Sequence, residues 1–407
     1  MATDISSMKR KYREAVKGEY PEELTIKLQK EADQKYGENP NQTCATYTVE
    51  EFEGRNASIL AKLTNIRSVR DDQQGKGGLS LNNLFDITRG METVKFSEQP
   101  ATVIMKHVIP ASFAVQTHGE PLVTLFRDTR DADRQSNFGG TFVLNRSLDR
   151  TTAEAMYELR GTSNFFVDVV AAPDYEEGVI TYLQQQSKNI RIAQFSHLEK
   201  LPKYVGDDTY GLKDIKGMLT GRVGIQDYYL TSIRSAKDFI LDPAVTTKDG
   251  TIHAITTQPT PEELSDLDLA WKINVAAVRS NGIVFVKNGR SVAIGAGQVE
   301  RFGALVQAIV KGMQKYMDLQ GITYDPLQGA RAAIDAIAAG TMNNPFAGAV
   351  CSSDAFFPFP DSIKQLWRAG VKAVVQPYGS ERDHEVIDAA NKYHIAMPAT
   401  LERCFVH

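Results

Sequence analysis

A hairpin followed by a helix constrains this fold most. Ile283-Val284-Phe285-Val286 and Val292-Ala293-Ile294 are apolar runs joined around Asn288-Gly289. Asn-Gly between two strand patterns is the strongest short-range hairpin signal, because the matching two-residue turn needs two positive φ angles. Phe302, Leu305, Ile309, Met313 and Met317 then recur at three- and four-residue spacing, the stripe of a helix that faces a core. Further along, Asp361 is placed to cap a helix running to Ala369, with Gly370 as its stop. Val371 to Val375 reads as a strand, Val386 to Tyr393 as a helix, and Ile395-Ala396-Met397 as a last short strand. Helical patterns also occupy 151–160 and 176–187. Alternating helices and strands predict a layered α/β fold with mixed sheets. Residues 1–34 are charge-rich and read as a helix or a disordered arm, and Thr246 to Gly250 as a polar linker. The letters show no internal repeat.

At 407 residues the chain suits two or three domains of ~150 residues each. A net charge of −4 provides no basic field to hold nucleic acid or an anionic membrane. Met1 to Tyr20 has no apolar centre and so is not a signal peptide, and no apolar run reaches the ~18 residues of a membrane span. Cys44, Cys351 and Cys404 lack C-x-x-C spacing, which argues for a reducing cytoplasm and against a zinc site.

Lys106-His107 follows the apolar run Thr102-Val103-Ile104-Met105, with Pro110 shortly after. The pair is therefore expected where a strand gives way to a loop, a common address for catalytic groups. A lysine can neutralise an oxyanion or hold a phosphate, and a neighbouring histidine can move a proton near neutral pH. Taken alone, the pair reads more readily as a solvated strand end than as a catalytic site. Four further segments stand out: Lys35-Tyr36-Gly37-Glu38-Asn39-Pro40-Asn41-Gln42, Asn137-Phe138-Gly139-Gly140, Ser280-Asn281 leading to Gly295-Ala296-Gly297-Gln298, and Ser352-Ser353-Asp354-Ala355-Phe356-Phe357-Pro358-Phe359. The chain finishes Arg403-Cys404-Phe405-Val406-His407.

In this order, from about Tyr20 to His407, these segments resemble the formyltransferase part of the bifunctional purine-synthesis enzymes AICAR transformylase/IMP cyclohydrolase. The resemblance implies an enzyme, phosphoribosylaminoimidazolecarboxamide formyltransferase. It would move a formyl group from 10-formyltetrahydrofolate to the 5-amino group of AICAR, giving formyl-AICAR in IMP synthesis. It implies two cytidine-deaminase-like three-layer halves, 20–207 and 208–407, behind an arm over 1–19, with segments exchanged near 320–340. It also implies a homodimer with sites at the interface, and it allows a monovalent cation such as potassium, although no spacing here shows one.

The resemblance assigns roles residue by residue. His107 would be the base and Lys106 the oxyanion stabiliser or proton donor to folate. Asn281 would contact the formyl group or carboxamide, and His407 would lie beside the reacting centre. Lys35, Tyr36 and Arg403 would hold the monophosphate, a guanidinium fork suiting phosphate. Asn83, Phe138, Gly139 and Phe405 would complete the AICAR site. Asp354, Phe356 and Phe357 would take the folate, whose flat pterin suits aromatic flanks. Core packing is the alternative for Phe356, Phe357 and Phe359, and a tight connection for Gly295-Ala296-Gly297.

The sequence departs from the family pattern. Lys35 stands for the usual arginine, Asn41 for histidine and Ser112 for glycine, which could alter the loop backbone. Glu300 stands for a frequent serine, and the stretch from Met317 to Cys351 is short. The cyclohydrolase region is missing from the chain, so no IMP cyclohydrolase activity is expected. His118, His197, His253, His384 and His394 read as surface or structural histidines, and Asp131 and Asp133 as a solvated loop. A non-catalytic AICAR-binding regulatory protein of the same fold is the competing reading, although such a sensor has no need of the base.

Overall fold

A computed structural model describes residues 2–7, 18–70, 78–159, 165–278, 280–323, 325 and 328–405. Its centre is one ten-stranded mixed sheet. The strands are β1 (Arg67–Ser68), β2 (Ala101–Lys106), β3 (Ile109–Val115), β4 (Gly140–Leu144), β5 (Val167–Ala172), β6 (Arg191–Gln194), β7 (Ile283–Lys287), β8 (Arg290–Gly295), β9 (Val350–Ser353) and β10 (Ala373–Val375). They lie side by side in the order β10-β9-β7-β8-β3-β2-β4-β5-β6-β1.

The helices α1 (Leu81–Val94), α2 (Leu122–Ala132), α3 (Arg150–Ala155), α4 (Val179–Gln186), α5 (Pro261–Ala277), α6 (Arg301–Leu319), α7 (Asp361–Ala369) and α8 (Asp383–Lys392) cover the sheet. β2 and β7 bury both faces, which is why they are near-continuous apolar runs. Val103, Met105, Val284 and Val286 point to one core with Ile87 and Met91 of α1 and Leu267 and Trp271 of α5. On the other face, Ile104 packs with Phe126 of α2 and Val179 of α4. Ile283 and Phe285 pack there with Leu305 and Met313 of α6, Ile363 of α7 and Val386 of α8. The result is a three-layer α/β fold.

The two parts of the chain repeat one topology. α1 leads into the β2–β3 hairpin, then α2, β4 antiparallel to β2, α3, and β5 parallel to β4. α5 likewise leads into the β7–β8 hairpin, then α6, β9 antiparallel to β7, α7, and β10 parallel to β9. The repeat is invisible in the letters because it is a repeat of backbone path. The repeats join where β3 meets β8, and the recorded pair there is Arg290 with Ala114. Arg290 clamps this seam through Asp128 at 2.8 Å and Glu120 at 2.9 Å.

Several expectations change. Thr246 to Gly250 is no linker; it turns a hairpin between strands Pro243–Thr246 and Ile252–Ala254, with Gly250 at φ 86°. The N-terminal stretch contributes strands, Thr3–Asp4 beside Pro243–Ala244 and Ile26–Gln34 beside Cys44–Phe52. Asp361 lies inside the first turn of α7, after an N-cap at Pro360, whereas Gly370 ends the helix at φ 91° as expected. Ile395 to Met397 forms only a bridge, Ala396 with Ala373. No described helix is long and apolar enough to cross a membrane.

Candidate functional site

Lys106 ends β2, and the connection to β3 is not a loop but a two-residue turn, His107-Val108. Both residues are left-handed, at φ 54° and 65°. For a β-branched residue such as Val108 this is a genuine outlier. Pro110 sits inside β3 opposite Met105, where the register shifts; a residue without an N–H is tolerated at such a bulge. His107 is exposed, and the Lys106 ammonium donates to the Phe138 carbonyl at 2.5 Å.

Asp86 of α1 holds the turn from behind. Its Oδ1 accepts from the Val108 N–H at 2.7 Å, and its Oδ2 from the Thr141 hydroxyl at 3.2 Å. Desolvation pushes the Asp86 carboxyl up from its usual range, against the opposing pull of these donors, His107 and Lys106. Asp86 was missed in the sequence. Its signal was its position three residues after Asn83, hence on the same helical face.

The Phe138-Gly139 loop reaches Lys106 because Asn137 anchors it. The buried Asn137 amide donates to Ser112 Oγ, Thr129 O and Arg130 O at 2.8 to 3.0 Å. Ser112 lies in β3, donates to Thr129 O at 2.6 Å, and so braces this anchor. Gly139 has φ 62°, and a Cβ there would stand 3.1 Å from the Phe166 ring and 3.5 Å from Lys106 Nζ. Asp131 and Asp133 are not a solvated loop. Asp131 pairs with Arg130 and Arg134, and Asp133, 3% exposed, pairs with Lys315 at 2.7 Å.

The Lys35–Gln42 loop closes through Gly37 N–H to Gln42 O, 2.8 Å, and touches the start of α1 through Asn82 and Glu38 O, 3.3 Å. Lys35 is exposed and Tyr36 half-buried. Asn83 forms a capping box with Ser80, which occupies its amide oxygen.

A second cluster surrounds a cleft of about 540 Å³ lined by Asn281, Glu300, Arg301, Phe356, Arg403 and Phe405 among others. Asn281, at φ 62°, donates to Gln298 O at 2.6 Å. Gly297 N–H returns to Ser280 O at 2.9 Å, and a Cβ on Gly295 would meet Ala304 O at 2.5 Å, so this turn is a tight connection that positions Asn281. Asp354 is fully buried and paired with Arg301, a residue the sequence reading missed. Burial raises the Asp354 carboxyl above its usual range, and Arg301 opposes the shift. The Arg403 guanidinium lies 4.9 Å from the Phe405 ring centre. Phe357 is packed in the core, with its N–H on Gln376, and does not line the cleft. Phe359 is exposed under Arg382. His407 lies outside the described residues.

Both clusters occupy one end of the sheet. The pairings put the end of β2 and the starts of β4 and β7 there, together with the end of β9. Three strand spacings separate β2 from β7, about 14 Å. The β3–β8 pair lies at the opposite end, beside the Asn288-Gly289 turn. Of the remaining histidines, His253 holds Asp388 at 2.8 Å. Among the described residues no group of three or more His, Cys, Asp or Glu side chains is arranged to hold a metal ion.

This layout defines the class, a doubled three-layer α/β protein that gathers ligand-type side chains at one end of its sheet. A family model for the AICARFT/IMPCHase bienzyme matches residues 3–311. The chain belongs to that family. It is 35% identical over 391 residues to the bifunctional purine biosynthesis protein PurH of Magnetococcus marinus, covering 96% of this chain and 62% of the relative. The PurH proteins of Persephonella marina and Oceanobacillus iheyensis are 32% and 33% identical, covering 95% and 96% of this chain. The chain thus spans 62% of the length of these curated relatives.

Proposed function

We propose that this chain carries the formyltransferase activity of the bienzyme, moving the formyl group of 10-formyltetrahydrofolate to the 5-amino group of AICAR. The observation that carries this reading is the shared sheet end on which Lys106, His107, Phe138 and Gly139 stand with Asn281, Asp354 and the Arg403–Phe405 segment. The AICAR amine is a poor nucleophile, because its ring and carboxamide withdraw electrons. As its nitrogen bonds to the formyl carbon, an oxyanion develops and a proton must leave. Exposed His107 takes that proton. Lys106, held beside Phe138, stabilises the oxyanion and then protonates the folate nitrogen as the old C–N bond breaks; such groups contribute ~10²–10⁴-fold each.

Asn281 orients the formyl group or carboxamide, and His407 assists at the reacting centre. Lys35, Tyr36 and Arg403 hold the monophosphate, with the Asn83 amide and Phe405 against the nucleotide. Phe356 flanks the pterin, and Asp354, fully buried and absent from the cleft lining, acts from behind by holding Arg301 in the cleft wall. The two clusters stand about 14 Å apart on one chain, so a homodimer that brings one copy's Lys106–His107 turn to the other's cleft is part of the proposal.

The test is absorbance with purified protein, AICAR and 10-formyltetrahydrofolate. Formyl-AICAR and tetrahydrofolate should form in equal amounts. Absence of both, or protein-dependent conversion of supplied formyl-AICAR to IMP as the only activity, would overturn the reading.

A further inference from the structure

The two hairpin turns of the repeated topology are held by the same device. In the second repeat, Asp266 of α5 accepts from both turn N–H groups, Asn288 at 2.7 Å and Gly289 at 2.8 Å. In the first, Asp86 of α1 accepts from Val108 N–H at 2.7 Å. The residues being held differ in kind. Asn-Gly adopts two left-handed angles readily, so Asp266 supports a turn that its own letters already favour. His-Val does not: Val108 at φ 65° is crowded by its own branched side chain. The less favourable turn is therefore the one that needs its aspartate, and it carries Lys106 and His107. Strain of this kind persists only where the surroundings over-determine it.

We propose that Asp86 is a positioning residue whose hydrogen bond to Val108 keeps the Lys106–Val108 turn in the left-handed conformation that presents Lys106 and His107 to substrate. This rests on the formyltransferase reading for its effect on turnover, but not for its effect on the turn. The second carboxylate oxygen, on Thr141 at 3.2 Å, fixes the Asp86 rotamer against β4, the strand that follows the Phe138-Gly139 loop. Asp86 thereby ties both walls around Lys106 to one helix.

The experiment compares Asp86→Ala, Asp86→Asn, Asp266→Ala and Asp86→Ala/Val108→Gly in the full chain. Two readouts are taken: steady-state formyl transfer, and hydrogen exchange of the segment containing Val108. Asp86→Ala should exchange there at least ~10-fold faster and lose ~10- to 100-fold in kcat, the scale of a 1 Å misplacement, with KM for AICAR within about threefold. Glycine takes the left-handed angle freely, so Val108→Gly should restore most of the lost kcat. Asp266→Ala should lower the melting temperature yet leave kcat within about twofold, which a merely structural role for Asp86 does not predict. Asp86→Asn keeps an acceptor at the same volume and serves if Asp86→Ala does not fold; it should retain protection and kcat within about threefold.

Equal kcat losses in Asp86→Ala and Asp266→Ala overturn the proposal. So does unchanged exchange in Asp86→Ala, or a ~10-fold loss in Asp86→Asn with Val108 still protected. If the unaltered protein transfers no formyl group, the functional reading fails, and the exchange and glycine-rescue data still decide whether Asp86 holds the turn.

Discussion

Mixing two inactive variants tests the spatial argument directly. His107→Ala removes the base from one cluster, and Asn281→Ala removes the orienting amide from the other. Each alone should lower kcat by at least ~10², because both groups act in the transition state. The two positions stand three strand spacings apart, about 14 Å, whereas reacting groups must meet within ~3.5 Å. If each site joins the Lys106–His107 turn of one copy to the cleft of the other, a mixed dimer holds one site with both defects and one with neither. Random re-association of equal amounts makes half the dimers mixed, and half of their sites are intact. Activity should therefore return to about a quarter of the unaltered level, with no change in KM for AICAR. The assay is formyl transfer after the mixed chains are dissociated in mild urea and refolded together. A co-refolded mixture no more active than the separate variants would refute the shared site. Each site would then lie within one chain, and the 14 Å would have to be closed by movement between the two repeats.

Four further outcomes are expected. Gly139→Ala should cost about 1–2 kcal/mol for the left-handed angle, and it should lower kcat because the new methyl crowds Lys106 Nζ and the Phe166 ring; urea unfolding and steady-state rates check both. Arg301→Met leaves the fully buried Asp354 unpaired and should cost about 3–5 kcal/mol at neutral pH. Because burial already raises the Asp354 carboxyl above 3.8, the folded state holds that proton more tightly, so the cost should shrink as pH falls toward that range; urea midpoints at pH 5 and pH 8 that shift equally would contradict it. Burial brings the Lys95 ammonium from 10.5 down to about 8, so the unfolded chain binds more protons between those values and stability should rise with pH across that window, by roughly 3 kcal/mol; Lys95→Met should abolish the rise in a pH series of unfolding curves. His407→Ala should cut turnover at least ~10-fold while melting stays nearly unchanged, and full activity would remove His407 from the mechanism.

The sequence by itself determined those features whose cause is local. The Asn288-Gly289 hairpin and the stripe of α6 were legible because a two-residue turn and a helical face depend on neighbours only a few residues away. Gly370 ended α7 for the same reason, its left-handed angle being cheap only for glycine. The motifs that mark the candidate site, Lys106-His107, Phe138-Gly139, Asn281 and Asp354, were likewise visible as letters. What joins them was not. The His107-Val108 turn carries no turn letters, because Asp86, twenty-two residues upstream, supplies what the letters lack. Thr246 to Gly250 looked like a linker because a polar turn between strands and a linker share a composition, and only the pairing of Pro243–Thr246 with Ile252–Ala254 tells them apart. Phe356 and Phe357 are adjacent and chemically alike, yet one lines the cleft and the other is core, a difference set by how the segment after β9 packs and not by its letters. Arg301 and Asp354 lie fifty-three residues apart and become a pair only when α6 packs against the end of β9. The doubled topology was decided by tertiary structure alone: hydrogen bonds between strands specify a backbone path without specifying which side chains decorate it, so two halves can share a path and no recognisable letters.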